Sequence, residues 1–145
     1  MTPSDNLIDG RLIAEQIHRE TADRIAALTA RGRAPGLAFV RVGEDPASRV
    51  YVGMKERMSQ RLGIRSTTEV LPESATEGAL LELIDRLNTD PAIHGILVQA
   101  PLPRHIDAAR VYHAVSAAKD VDGFHTINVG KLLLGEHAEE ISLVL

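Results

Sequence analysis

The 145-residue chain has no cysteine and no tryptophan, and only two phenylalanines and two tyrosines. Without thiols there is no disulfide framework, no thiolate metal centre and no cysteine nucleophile, and the chain suits a reducing, cytoplasmic setting. So few rings offer little on which to stack bases. The basic residues are interspersed with acids at a net charge of -4, so nucleic acid is not an expected partner. No apolar run approaches the roughly 20 residues of a membrane helix. The first nine residues carry Asp5 and Asp9 but no basic stretch leading into an apolar one, so no signal peptide is expected. The glycine-rich nucleotide turns of the Gly-x-Gly-x-x-Gly and P-loop types are missing, as is the Gly-x-Ser-x-Gly elbow of serine hydrolases.

What remains is material for one ordinary domain, 44% apolar and 25% charged, enough for a core without staples. Ile13, Ile17, Ile25 and Leu28 recur at helical spacing between Asp9 and Arg31, predicting a long amphipathic first helix. After Pro35-Gly36 the run from Leu37 to Val42 is nearly all apolar, as in a strand covered on both faces. Asp45 then suits an N-cap and Pro46 the first helical position, with the helix running to Leu62 and ending at Gly63. Arg65 to Leu71 is rich in β-branched residues and predicts a second strand. Ser74-Ala75-Thr76-Glu77 has the form of a capping box. The helix behind it should bury Leu80, Leu83, Ile84 and Leu87 and close at Asp90-Pro91. Gly95 to Gln99 reads as a third strand, which Pro101-Leu102-Pro103 stops. Helical spacing returns from Ile106 to Ala118 through Val111 and Val115. Such alternation predicts an α/β fold, helices layered on a mainly parallel sheet, within one domain spanning residues 1–145.

In open α/β sheets the usable crevice lies beyond the carboxyl ends of the strands, at Gly43-Glu44-Asp45 and at Gln99 to Pro103. Tyr51 and Lys55 lie four apart on the helix after the first of these, so a ring and an amine can approach one ligand together. In most proteins such a pair is a half-buried ring and a solvated ammonium. Gln99 ends an apolar strand and needs partners if buried, whether to serve a site or to tie down a loop. Lys119-Asp120-Val121-Asp122-Gly123-Phe124-His125 concentrates two carboxylates and an imidazole in one turn. Its spacing matches neither a calcium loop nor a zinc site, so no metal is expected. His18, His94, His105, His113 and His137 form no ligand motif and read as surface or helix-end residues.

Three segments together resemble the signature regions of the bifunctional methylenetetrahydrofolate dehydrogenase/methenyltetrahydrofolate cyclohydrolase family. They are Val42-Gly43-Glu44-Asp45-Pro46-Ala47-Ser48 continuing through Tyr51 to Lys55, then Gly95 to Pro103, then Lys119 to His125 with Asn128-Val129-Gly130. The likeness runs from Gly10 to Gly135. It implies a three-layer α/β/α catalytic domain that binds tetrahydrofolate carrying a one-carbon unit, oxidised from methylene to methenyl with NADP or NAD and then hydrolysed to the formyl form. Tyr51 would pack on the aminobenzoyl ring, Asp122 would accept hydrogen bonds from the pterin, Lys55 would handle protons, and Gln99 would hold and tune it. Pro101 and Leu102 would line the substrate. A homodimer is in keeping with the family.

Two departures from the family pattern are small: Ala100 stands where Leu is usual, and Ala118 where Pro is frequent. The larger one is the end at Leu145, before the family's C-terminal Rossmann domain, so no cofactor site is expected in this chain and apolar surface is expected to be exposed. The abrupt acidic stretch Glu136-His137-Ala138-Glu139-Glu140 keeps two other readings open. One is a non-catalytic folate-binding or interaction module; the other is a truncated, inactive gene product.

Overall fold

The computed structural model describes residues 8–135; the start of the amino-terminal stretch and the acidic stretch from Glu136 lie outside the described residues. Strands β1 (Gly36–Val42), β2 (Arg65–Leu71) and β3 (Gly95–Val98) form a parallel sheet in the order β2-β1-β3. Helix α1 (Gly10–Ala30) precedes β1, α2 (Pro46–Leu62) and α3 (Glu77–Thr89) make the crossovers, and α4 (Ala108–Ala114) and α5 (Thr126–Leu134) follow β3. Parallel neighbours need such crossovers, and here Pro35-Gly36, Gly43, Gly63, Pro72 and Gly95 lie at or near the strand ends.

Alternate residues of the strands sort the helices onto two faces. Ala38, Val40 and Val42 with Ile96 and Val98 bury Leu80, Leu83, Ile84 and Leu87 of α3 and Val111 of α4. Phe39 and Leu97 point the other way, onto Val52 of α2. Helix α1 packs on α2. The domain is therefore layered α/β/α, as the alternation and the resemblance implied. β1, in the middle, is buried along almost its whole length, and that explains its continuous apolar run.

Local chemistry sets the ends. Asp45 caps α2 by accepting from the Ser48 N–H at 2.7 Å, and Pro46 opens the helix. Gly63 closes it at φ 84°, a left-handed conformation that glycine adopts without a Cβ penalty. The carbonyls of Leu87 and Asp90, at the end of α3, accept from Lys119 Nζ at 3.0 and 2.8 Å.

Three expectations need correction, and one helix lies beyond them. The α3 cap is Thr76, whose hydroxyl accepts from the Ala79 N–H, so the box read from Ser74 is out of register. Glu77 instead takes the Asp107 N–H and pairs with Arg110 at 2.7 Å, tying α3 to α4. The helix expected through Ala118 stops at Ala114, because Asn88 binds the Ala114 carbonyl and the Ser116 N–H and draws the chain into a turn. Thr126–Leu134 is a helix that the pattern did not reveal. On α1 only Ile25 of the expected face is buried; Ile13, Ile17 and Leu28 are exposed. This helix is an outer layer over α2, and it meets its neighbour at Ile25, beside Gly63.

Candidate active site

Lys55 and Gln99 are brought together from different elements. Lys55 lies on the sheet-facing side of α2 with Ser48, Val52 and Ser59, at steps of three and four, and these three neighbours are buried. Gln99 follows β3, and its N–H donates to the Val40 carbonyl at 2.8 Å, so the strand pairing continues one residue past β3. Its side-chain Nε2 donates to the Ala100 carbonyl at 2.7 Å, which turns Oε1 toward Lys55 Nζ at 3.5 Å. That distance is the outer limit of a hydrogen bond. It sets an amide oxygen dipole against an amine, while the amine keeps donors free.

The Ala100 carbonyl also accepts from Ser48 Oγ at 3.3 Å. Asp45, Ser48, Ala100, Gln99 and Lys55 thus form one chain of polar contacts from the cap of α2 to the exit of β3. The Ser48 N–H holds the Asp45 carboxyl below its ordinary value, because a hydrogen bond to the charged form favours it. Ala100 precedes Pro101 through a cis peptide bond. Pro101 is exposed, whereas Leu102 packs partly buried against the α3/α4 core.

The two carboxylates of the Lys119–His125 turn have opposite settings. Asp120 is buried and accepts the N–H groups of Gly123, Phe124 and His125 and the Asn128 amide. Asp122 is half-buried and has no hydrogen bond or ion pair among the described residues. Burial pushes its carboxyl above the ordinary value, the charge of Lys55 opposes that shift, and Asp120 adds to it. Asp122 therefore lies within electrostatic reach of the amine that Gln99 holds. Tyr112 is raised by burial and then by Asp122, and its ring stands 5.1 Å from that of Phe124 at 51°. Tyr51, one turn before Lys55, is 56% exposed, leaving one face of its ring open to a ligand.

Hollows lie on the outer surface of α2, lined by Pro46, Arg49, Val50 and Arg57, and between α1 and α2, and the grouped chemistry is in neither. Among the described residues no three His, Asp or Glu side chains gather as metal ligands. His125 Nδ1 accepts the Ile127 N–H and caps α5.

The structure thus has an amine beside a strand-end amide, a half-buried carboxylate that feels its charge, and an exposed ring one turn before that amine. The catalytic-domain model of the tetrahydrofolate dehydrogenase/cyclohydrolase family matches residues 8–122. The chain belongs to that family. In the bifunctional protein FolD of Bordetella bronchiseptica, 130 residues are 54% identical, covering 90% of this chain and 46% of that protein. The crystal structure of FolD from Campylobacter jejuni superposes with a TM-score of 0.88 at 42% identity, over 90% of this chain and 46% of that one. The methylenetetrahydrofolate dehydrogenase-cyclohydrolase of Trypanosoma brucei, solved with NADP and an inhibitor, gives a TM-score of 0.84 at 37% identity, over 90% of this chain and 45% of that one. The chain spans about half the length of these relatives.

Within this family domain, sequence reasoning missed Ser48, Asp120 and Asn128. Ser48 had a signal, a small polar residue in step with Val52 and Lys55 on the inward side of α2. Asp120 had one too, a carboxylate followed at three to five residues by backbone donors around a glycine. Asn128 had none, since its partners are set by the hidden helix α5.

Proposed function

We propose that this chain is the folate-binding catalytic half of an enzyme that oxidises 5,10-methylenetetrahydrofolate to the methenyl form with NADP or NAD and hydrolyses that product to 10-formyltetrahydrofolate. The single observation that carries the reading is Lys55 held by Gln99 within the field of Asp122. Tyr51 packs on the aminobenzoyl ring. Asp122, as a carboxylate without a protein partner among the described residues, accepts the pterin N–H groups, for which an acceptor-only group is suited. Pro101 and Leu102 lie along the substrate at the exit of β3.

In the hydrolytic step water adds to the methenyl carbon, a proton leaves that water, and the bond from this carbon to one ring nitrogen breaks to give the formyl group. Lys55 in its amine form takes that proton, directly or through a relay, and the second proton passes from the resulting hydroxyl to the severed nitrogen as the formyl C=O forms. Gln99 orients the side chain so that the transfer needs little rearrangement.

The helix starts after β1 and β2 do not suit the phosphates of a dinucleotide. Phosphates need open N–H donors at a helix start, and the turn after β1 has the Asp45 carboxylate there, while the turn after β2 is capped by Thr76. This supports placing the nicotinamide in the half of the full-length enzymes that this chain does not span, and no hydride step is assigned to these residues. A cytoplasmic address and a homodimer belong to the same reading; light scattering of the pure protein checks the second.

The test follows loss of methenyltetrahydrofolate absorbance with purified protein, corrected for spontaneous hydrolysis, in wild type and Lys55→Ala. Protein-dependent loss that disappears in the variant is expected. Tight folate binding with no turnover, even when a cofactor domain is supplied on a separate chain, would overturn the catalytic reading in favour of a binding module.

A further inference from the structure

Between β3 and α5 the backbone is fastened on both sides of Asp122. On the upstream side, the Ile96 N–H donates to the Lys119 carbonyl at 2.7 Å, and Asp120 forms a parallel bridge with Ile96. Val121 packs against Phe39, Val52 and Leu97. A Cβ on Gly95 would stand 2.5 Å from Val121 Cγ1, so this seat exists only because residue 95 is glycine. On the downstream side, Asp120 Oδ1 accepts from the N–H groups of Gly123 at 3.0 Å and Phe124 at 3.4 Å. Its Oδ2 accepts from the His125 N–H at 2.9 Å and from Asn128 Nδ2 at 3.0 Å. Asn128 also donates to the Ala117 carbonyl at 2.9 Å. Asp120 is 6% and Asn128 7% exposed.

We infer that Asp120 and Asn128 are positioning residues that act through Asp122, locking the turn so that the Asp122 carboxylate faces the substrate in one orientation. The inference rests on the proposed role of Asp122 as the pterin acceptor and adds what aims it. With residues 120 and 121 seated on the sheet and residues 123–125 bonded to a buried carboxylate, Asp122 is the one member of the turn without a fastening. Its setting is therefore fixed before substrate arrives, which is where preorganisation acts. A carboxylate is needed at 120 because four donors converge on it. An amide offers one acceptor oxygen, so in Asp120→Asn the NH2 group would meet two donors whichever way it turned.

Asn128→Ala separates geometry from charge, since it loosens the clamp and leaves both carboxylates in place. In the 145-residue protein, NMR follows the titration of the Asp122 carboxyl, which burial raises and which feels Lys55 and Asp120, alongside amide exchange at Gly123, Phe124 and His125. In Asn128→Ala the Asp122 midpoint should fall toward its ordinary value and the three amides should exchange faster. Asn128→Ser, which keeps a short donor, should give a smaller displacement in the same direction should the alanine variant fold poorly. Tetrahydrofolate affinity should fall about ten- to a hundredfold in Asn128→Ala, and that loss should vanish in an Asp122→Asn background. A lower melting temperature with the Asp122 titration unmoved overturns the inference and leaves the clamp a merely structural one. If the titration moves while neither wild type nor variant binds tetrahydrofolate, the positioning stands and the pterin role of Asp122 fails instead.

Discussion

The two faces of the sheet are made from alternate residues of the same strands, yet they are furnished differently. The face under α3 and α4 has an apolar centre, with Leu80, Ile84, Ile96, Val40 and Val111 fully buried, and its polar strand residues, Thr67 and Glu69, are on the edge strand β2. The face under α2 has Phe39, Val52 and Leu97 at its centre, and around them stand buried Ser48 and Ser59, the Lys55–Gln99 contact and the hydroxyls of Ser66 and Thr68. A strand can serve both purposes because successive side chains point to opposite sides. One side can be packed for stability while the other gives up apolar contact to seat polar groups at the strand ends.

If that division is right, substitutions on the two faces should fail in different assays. The largest effect is expected for Lys55→Ala, with hydrolysis of methenyltetrahydrofolate slowed about 10²- to 10⁴-fold, the range of a lost proton-transfer group. Its urea midpoint should barely move, since among the described residues the amine makes a single long contact. A large loss of stability would break the comparison. Next comes Ile84→Ala on the opposite face, which should cost about 2–5 kcal/mol in urea denaturation while folate affinity per folded molecule is unchanged. A loss of affinity there would mean that the faces are coupled.

The pH dependence of Asp122 sharpens the same comparison. A raised carboxyl value means that the folded state holds the proton more tightly than the unfolded chain. Burial of the charged form therefore opposes folding fully above the folded value, and not at all below the ordinary 3.8. Asp122→Asn should accordingly be more stable than wild type at neutral pH, and the difference should close as pH falls through that window. Folate binding should rise with pH across the same window in wild type only, as calorimetry at stepped pH would show. The smallest effect is expected at Thr68, whose hydroxyl is buried without a partner among the described residues. Thr68→Val should raise stability by about 1 kcal/mol, read from the denaturation midpoint.

The same contrast explains what could be read from the chain alone. The apolar face was legible residue by residue: Leu80, Leu83, Ile84 and Leu87 repeat at helical spacing, and β1 shows the unbroken run of a central strand. Asp45-Pro46 and Gly63 marked both ends of α2, because caps are local chemistry. Tyr51 and Lys55 stood out by their spacing on α2 and Gln99 by its place at the end of an apolar strand, whereas their roles, and Asp122 rather than Asp120 as the pterin acceptor, are only what the resemblance implies. What escaped depends on tertiary partners. The early end of α4 is decided by Asn88 from α3, and the cap of α3 is Thr76 because Glu77 turns to Asp107 and Arg110. The division of labour between Asp120 and Asp122 follows from a helix with weak sequence signals, whose cap is a histidine ring. The exposed Ile13, Ile17 and Leu28 of α1 show that an amphipathic pattern gives the apolar side of a helix but not what lies against it.

The outer edge of β3 is joined by the turn that holds Asp120 and Asp122, at a parallel bridge in which the Ile96 N–H donates to the carbonyl of Lys119, 23 positions along the chain. The Ile96 amide is therefore a built-in clock for the candidate site. Its proton can exchange with solvent only when that turn lifts away from the sheet, so one resonance in the hydrophobic interior counts how often the carboxylate corner comes apart.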